Sequence, residues 1–243
     1  YAAQKPTLKA HAGQHSVHAH VERNQKNKNI INMKKIIALA FGAFLLLPFS
    51  CVNPATVKTV SQLASLGIEV VSLLRGCTEL SQMFSSNVAA VNSGMEKGIT
   101  DNKSVLDLGK YWEKYWSDVH SDYDNLKGKL YETDRISQQY FAELESNNSQ
   151  INNAELKISD SNKTIKIKEQ YKLEYAKAVA SINSSAQLLK DGDDILLVLR
   201  NDVLRSALQN QISVLKNISL QSTVLSQNMK YFSNNCIPLF TQK

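Results

Sequence analysis

The chain has 243 residues, of which 28 are Lys or Arg, 22 Asp or Glu and five His, for a formal net charge of +6. Residues 1–50 carry seven of the bases and one of the acids, so 51–243 holds 21 of each and is neutral. The excess charge belongs to the leader and gives the folded part no nucleic-acid face, which needs a basic patch on the domain itself. The 193 residues from Cys51 onward suffice for one domain with a substantial core.

Residues 1–32 start at Tyr1 and show neither apolar periodicity nor turn signals. They are expected to be upstream translation or an expression remnant rather than native protein, and to be disordered. His11, His15, His18 and His20 all fall there, so their clustering does not signal a metal site of the domain. Residues 33–51 read MKKIIALAFGAFLLLPFSC. Lys34 and Lys35 precede an uncharged run from Ile36 to Phe49, the layout of a secretory signal over 33–50. The run of 14 residues spans about 21 Å as a helix, short of the ~30 Å hydrocarbon core. Cys51 after Ser50 resembles the lipidated cysteine of bacterial lipoprotein precursors, with Pro48 and Phe49 resembling a looser form of the lipobox. The resemblance covers about 19 residues and implies lipidation, palmitate included, at Cys51. Residues 51–55 would form the lipidated tether and 56–243 the folded domain.

That domain reads as all-α. No proline interrupts 55–237, and the one alternating stretch, 164–168, is too short for a strand amid its surroundings. Leu63, Leu66, Val70, Leu73, Cys77, Leu80, Phe84 and Val91 keep a three-four spacing, as do Trp112, Trp116, Val119, Tyr123, Leu126, Leu130, Tyr140 and Leu144. Tyr171, Tyr175, Ala178, Ile182 and Leu189 make a weaker third seam. Leu204, Leu208, Leu215, Ile218, Leu225, Met229 and Phe232 make the last. Asn87, Thr133, Ser137, Gln211 and Ser222 interrupt the pattern. Such seams predict helices packed side by side in coiled-coil fashion.

Punctuation sets the expected joints. Gly94 and Gly98 mark a first turn over 93–100, followed by a capping box at Ser104 and Asp107. Asp191-Gly192-Asp193 reads as a compact turn, with Asp193 or Asp194 capping the last helix. The Asn-rich stretch 147–153 allows two outcomes. A turn there gives an elongated antiparallel bundle of four helices, each about 40 residues and ~60 Å long. Continuous helix gives three, one very long over 102–190. The polar segment 145–168 reads as a solvated tip or connector.

With Cys51 assigned to lipid, Cys77 and Cys236 remain as an even pair in a compartment that permits disulfides, and a bridge between them is the expectation. An antiparallel four-helix arrangement opposes it, because the last helix ends where the first begins, about 30 Å below Cys77. The bridge needs a first helix that enters the bundle near Gly67 or a tail that folds back.

The chain contains no nucleophile elbow, phosphate loop or metal-ligand spacing, and no catalytic residue, metal or cofactor is expected. Asp191, Asp193 and Asp194 do not fit a calcium loop, since Gly192 comes too early. His120 reads as a solvated helical residue. The one concentration suited to binding is aromatic: Trp112 and Trp116 share a helical face, and Tyr111 and Tyr115 share the next. They form a candidate docking patch, with core packing as the plainer alternative.

These readings favour a non-catalytic lipoprotein of the bacterial cell envelope, held to a membrane by its N-terminal lipid and facing periplasm or exterior. It would act as scaffold, spacer or binding module for an envelope protein partner, and could self-associate as a homo-oligomer. The alternative is a membrane-active protein resembling α-helical pore-forming toxins, against which stands the lack of any domain apolar run longer than Ile195–Leu199. An enzyme with dispersed site residues ranks below both.

Overall fold

The computed structural model describes residues 54–201 and 205–241, with side chains over 61–201 and 211–241. Residues 1–32, the signal segment 33–50 and Cys51 lie outside the described residues. Four α-helices account for nearly all of the rest: α1 (Pro54–Thr100), α2 (Val105–Ser149), α3 (Ala154–Asn201) and α4 (Arg205–Thr241). Pro54 opens α1 at the first helical position, where its missing N–H costs no hydrogen bond.

The helices form an antiparallel ring. α1 packs on α2 and α4, and α3 packs on the same two; among the described residues the backbones of the diagonal pairs stay apart, while aromatic side chains of α2 and α4 meet in the core. Side-chain bonds fix the register. Asn87 donates to Asp122 at 2.6 Å, Tyr123 to the Ile182 carbonyl at 2.9 Å, Asn228 to Ser181 at 3.0 Å and Asn92 to the Leu215 carbonyl at 2.7 Å. The four-helix alternative is therefore the one realised, with the Asn-rich stretch as a turn. There the Gln150 and Ile151 amides donate to the carbonyls of Asn147 and Asn148, and Asn153 caps α3 by accepting from the Leu156 amide. Lys157 reaches back to the Ser149 carbonyl at the C-terminus of α2.

Two of the expected joints move. α1 runs through Gly94 and Gly98 to Thr100. The turn follows at Asn102, whose φ of 58° is left-handed. The Lys103 amide bonds to Gly98 O and the Asn102 amide to Ile99 O, a Schellman closure with Asn in the place usually held by Gly. The capping box stands: Ser104 Oγ accepts from the Asp107 amide at 3.1 Å and donates to the Asp107 carboxylate at 2.7 Å. Asp191-Gly192-Asp193 is no turn but lies inside α3, which continues to Asn201.

Most seam positions pack inward; Leu63, Tyr140, Leu144 and Tyr175 are half-buried, and Leu204 and Leu208 lie outside the residues whose side chains are described. Val70, Cys77, Phe84 and Val91 are buried on α1 with Leu74, Val88 and Met95. Leu66, Leu73 and Leu80 sit at the margin of the core. The polar interruptions Thr133, Ser137 and Ser222 are also buried. Each returns its hydroxyl to a carbonyl one turn back (Lys129, Thr133 and Ser219) and so enters the core with its donor satisfied. At one end Phe141, Tyr171, Phe232 and Phe240 form an aromatic cluster, with Phe240 5.6 Å from Phe141 and 5.7 Å from Tyr171 between centroids. The Phe240 carbonyl lies over Gly67, so α4 ends level with that residue and α1 has already begun further out.

Candidate functional site

The aromatic stripe divides once folded. Trp112 and Trp116 are both buried and stack at 4.7 Å with 16° between their rings. Trp112 Nε1 donates to the Gly192 carbonyl at 2.9 Å, and Trp116 Nε1 to Asp193 Oδ1 at 3.1 Å. A Cβ at residue 192 would overlap the Trp116 ring, so glycine serves α3 here as a seat for indole. Tyr111 is half-buried over Gly94 and donates to the Ala90 carbonyl at 3.4 Å. Tyr115 alone of the four is exposed, its ring tilted 48° against Tyr111 at 4.8 Å with the Lys114 ammonium 5.0 Å from its centroid. The four residues therefore do not form one docking patch. The tryptophans are core: the side-chain-free backbone at Gly192 admits the Trp116 ring, and its carbonyl accepts from Trp112.

His120 lies one turn beyond Trp116 and shares its partner. Its ring N–H donates to Asp193 Oδ1 at 2.9 Å, and the ring meets Trp116 edge-on at 6.2 Å. One carboxylate oxygen thus ties two side chains of α2 to α3. The sequence held this pairing at two positions 73 residues apart with no local signal joining them.

Cys77 and Cys236 are both free, which corrects the expected bridge. With Phe240 over Gly67, the antiparallel register sets Cys236 opposite residue 71, six residues and about 9 Å along the axis from Cys77. Disulfide geometry needs Cα atoms within about 7 Å. Of the two arrangements that would have allowed the bridge, α4 meets α1 near Gly67 but still leaves that axial offset, and α4 stays helical to Thr241 rather than folding back. The Cys77 thiol instead meets Thr133 Oγ1 at 3.5 Å. Burial pushes the Cys77 thiol up to about 11 and the Cys236 thiol up to about 12. Both are protonated at neutral pH and are neither nucleophiles nor ready metal ligands.

A shallow groove of about 260 Å³ between α3 and α4 escaped sequence reasoning. It is lined by Glu174, Lys177, Asn228, Tyr231, Phe232 and Asn235 among others. Glu174 accepts from Lys177 at 2.7 Å and from Asn235 at 3.1 Å, and the Lys177 bond holds its carboxyl below the ordinary range. The Glu174/Lys177 spacing is a visible helical pair; nothing in the sequence announced Asn235 as its third member. The groove pairs a satisfied carboxylate with an aromatic wall and presents no activated nucleophile.

Among the described residues no three His, Cys, Asp or Glu side chains gather in a way that could hold a metal ion. None of the described helices is long and apolar enough to cross a membrane. Compared with protein families, curated proteins and solved structures, the chain matches none.

Proposed function

We propose that the chain is a non-catalytic helical scaffold, anchored to a bacterial envelope membrane by lipid on Cys51 and displaying its bundle to another envelope protein. One observation carries this reading: a basic start at Met33, an uncharged run closed by Cys51, and Pro54 of α1 only three residues later. A lipid on Cys51 would tether the bundle through a link of two residues before Pro54. Several acyl chains are needed, because one gives only marginal, reversible binding.

The interior supports a structural role. Its thiols are protonated, the buried hydroxyls of Thr133, Ser137 and Ser222 are committed to helix carbonyls, and at its margin His120 is committed to Asp193. Cys51→Ser is expected to abolish incorporation of labelled palmitate and move the protein to the soluble fraction with unchanged thermal unfolding. Retention of that variant in membranes after a carbonate wash overturns the anchor.

A further inference from the structure

The ionisable residues are distributed unevenly around the ring. α2 carries nine acids and five bases, whereas α4 carries no acid and three bases, Arg205, Lys216 and Lys230. These two helices lie on opposite corners of the bundle, so its cross-section has an acidic edge facing away from a basic one. Every exposed residue from 211 to 241 is uncharged or a lysine.

On that basic corner an apolar stripe stands in water. Leu220, Val224 and Tyr231 are 63%, 45% and 64% exposed. Their spacing of four and seven residues puts them on one line, directed outward because the intervening Ser222, Leu225 and Met229 are buried. The stripe covers about 16 Å of helix. Lys216 lies one turn before Leu220, and Lys230 adjoins Tyr231.

We infer that this face of α4 lies on an anionic lipid surface, as a membrane contact separate from any lipid on Cys51. Charge complementarity favours that occupant: α4 itself has no acid and sets Lys216 and Lys230 beside the stripe to meet anionic headgroups, while α2, the repelled edge, faces away. Three α3 carboxylates border α4 in the grooves beside it: Glu174, held by Lys177 and Asn235, and Asp191 and Asp194 next to Gln211 and Asn217. Area argues against a protein at the same place. Three side chains of about 200 Å² or less, roughly half exposed, offer about 300 Å², well below the ~800 Å² per partner of a stable interface. That area is enough to dip Leu220, Val224 and Tyr231 into the headgroup boundary, with the tyrosine ring at the depth aromatic side chains favour and the lysine stems reaching back to the phosphates. The contact would lay the bundle along the bilayer and turn α2 toward any partner.

The test uses the full chain carrying Cys51→Ser, so that loss of the anchor and loss of this contact are separate results. Nitroxides are placed singly at Val224→Cys, Asp118→Cys on α2 and Ser159→Cys at the α2–α3 end; the buried native thiols resist labelling while folded. The probe is vesicles of equal phosphatidylglycerol and phosphatidylcholine, compared with phosphatidylcholine alone. The expected result is entry of the 224 label into lipid on the anionic vesicles only, with 118 and 159 remaining in water. Lys216→Gln with Lys230→Gln should lower the contact equilibrium at 224 about thirtyfold. A 224 label that stays in water with both vesicles overturns the contact. Entry at 159 without 224 sets the bundle end-on and overturns it equally.

Discussion

Gly192 and Trp116 occupy space that only one side chain can fill: the indole lies where a Cβ on residue 192 would be. Alanine in a helix interior normally gains about 1 kcal/mol over glycine. Here the overlap with a buried ring outweighs that gain. Gly192→Ala is expected to destabilise the bundle by about 1–3 kcal/mol, the usual cost of overpacking. Gly128, also helical, has nothing within 4 Å of its Cβ position, and Gly128→Ala should stabilise by about 0.5–1 kcal/mol. Urea midpoints at unchanged slope measure both, and equal shifts would refute the indole seat.

The two buried thiols set an alkaline limit. Their folded pKa values lie above the ordinary 9.0, so the folded chain holds these protons more tightly than the unfolded chain. That contribution is whole below pH 9 and is lost as pH rises toward about 11 for Cys77 and 12 for Cys236. Burial acts the same way on Tyr175, raised to about 12, and raises Tyr171 as well. Thermal midpoints should be level to pH 9 and fall above it. At pH 8 neither thiol should react with a disulfide reagent until urea unfolds the chain, and mild oxidation should leave both free by mass spectrometry.

Asn148 and Thr164 form a buried hydrogen bond of 2.9 Å where α2 and α3 meet near their turn. Asn148→Ala leaves the Thr164 hydroxyl without that partner and should cost about 1–3 kcal/mol. Local opening is the cheapest response. Hydrogen exchange should therefore accelerate over 154–166 and remain slow over 178–199; uniform acceleration would show that the pair supports the whole bundle instead.

Ser104 closes α2 reciprocally with Asp107. Ser104→Ala should cost about 1 kcal/mol, and Ser104→Asp should retain most of the cap. Chemical denaturation distinguishes them.

Helix identity and count were legible because a three-four apolar rhythm survives single polar interruptions. Thr133, Ser137 and Ser222 stay in step because a hydroxyl can satisfy itself on its own helix. The glycines misled. Gly94, Gly98 and Gly192 read as punctuation, yet each lies within a helix and accommodates a neighbour: Tyr111, Leu108 and Trp116 respectively. A glycine that makes room for another helix leaves the same mark in a sequence as one that ends its own. The disulfide failed on axial register, which depends on where α4 stops against α1, and the docking patch failed on the partner of Trp116, which lies on a different helix.

The contact of Phe240 with Gly67 also sets an order of events during synthesis. α1 packs on α4, the last helix to emerge, so one flank of α1 lacks its neighbour until residues beyond 205 have been made. At 5–20 residues per second, the interval between the end of α1 at Thr100 and Phe240 is on the order of 10 s. Through that interval Asn92, which in the folded chain donates to the Leu215 carbonyl, and the rest of that flank have no partner on α4. A chain built this way cannot close its ring until its last helix has been made.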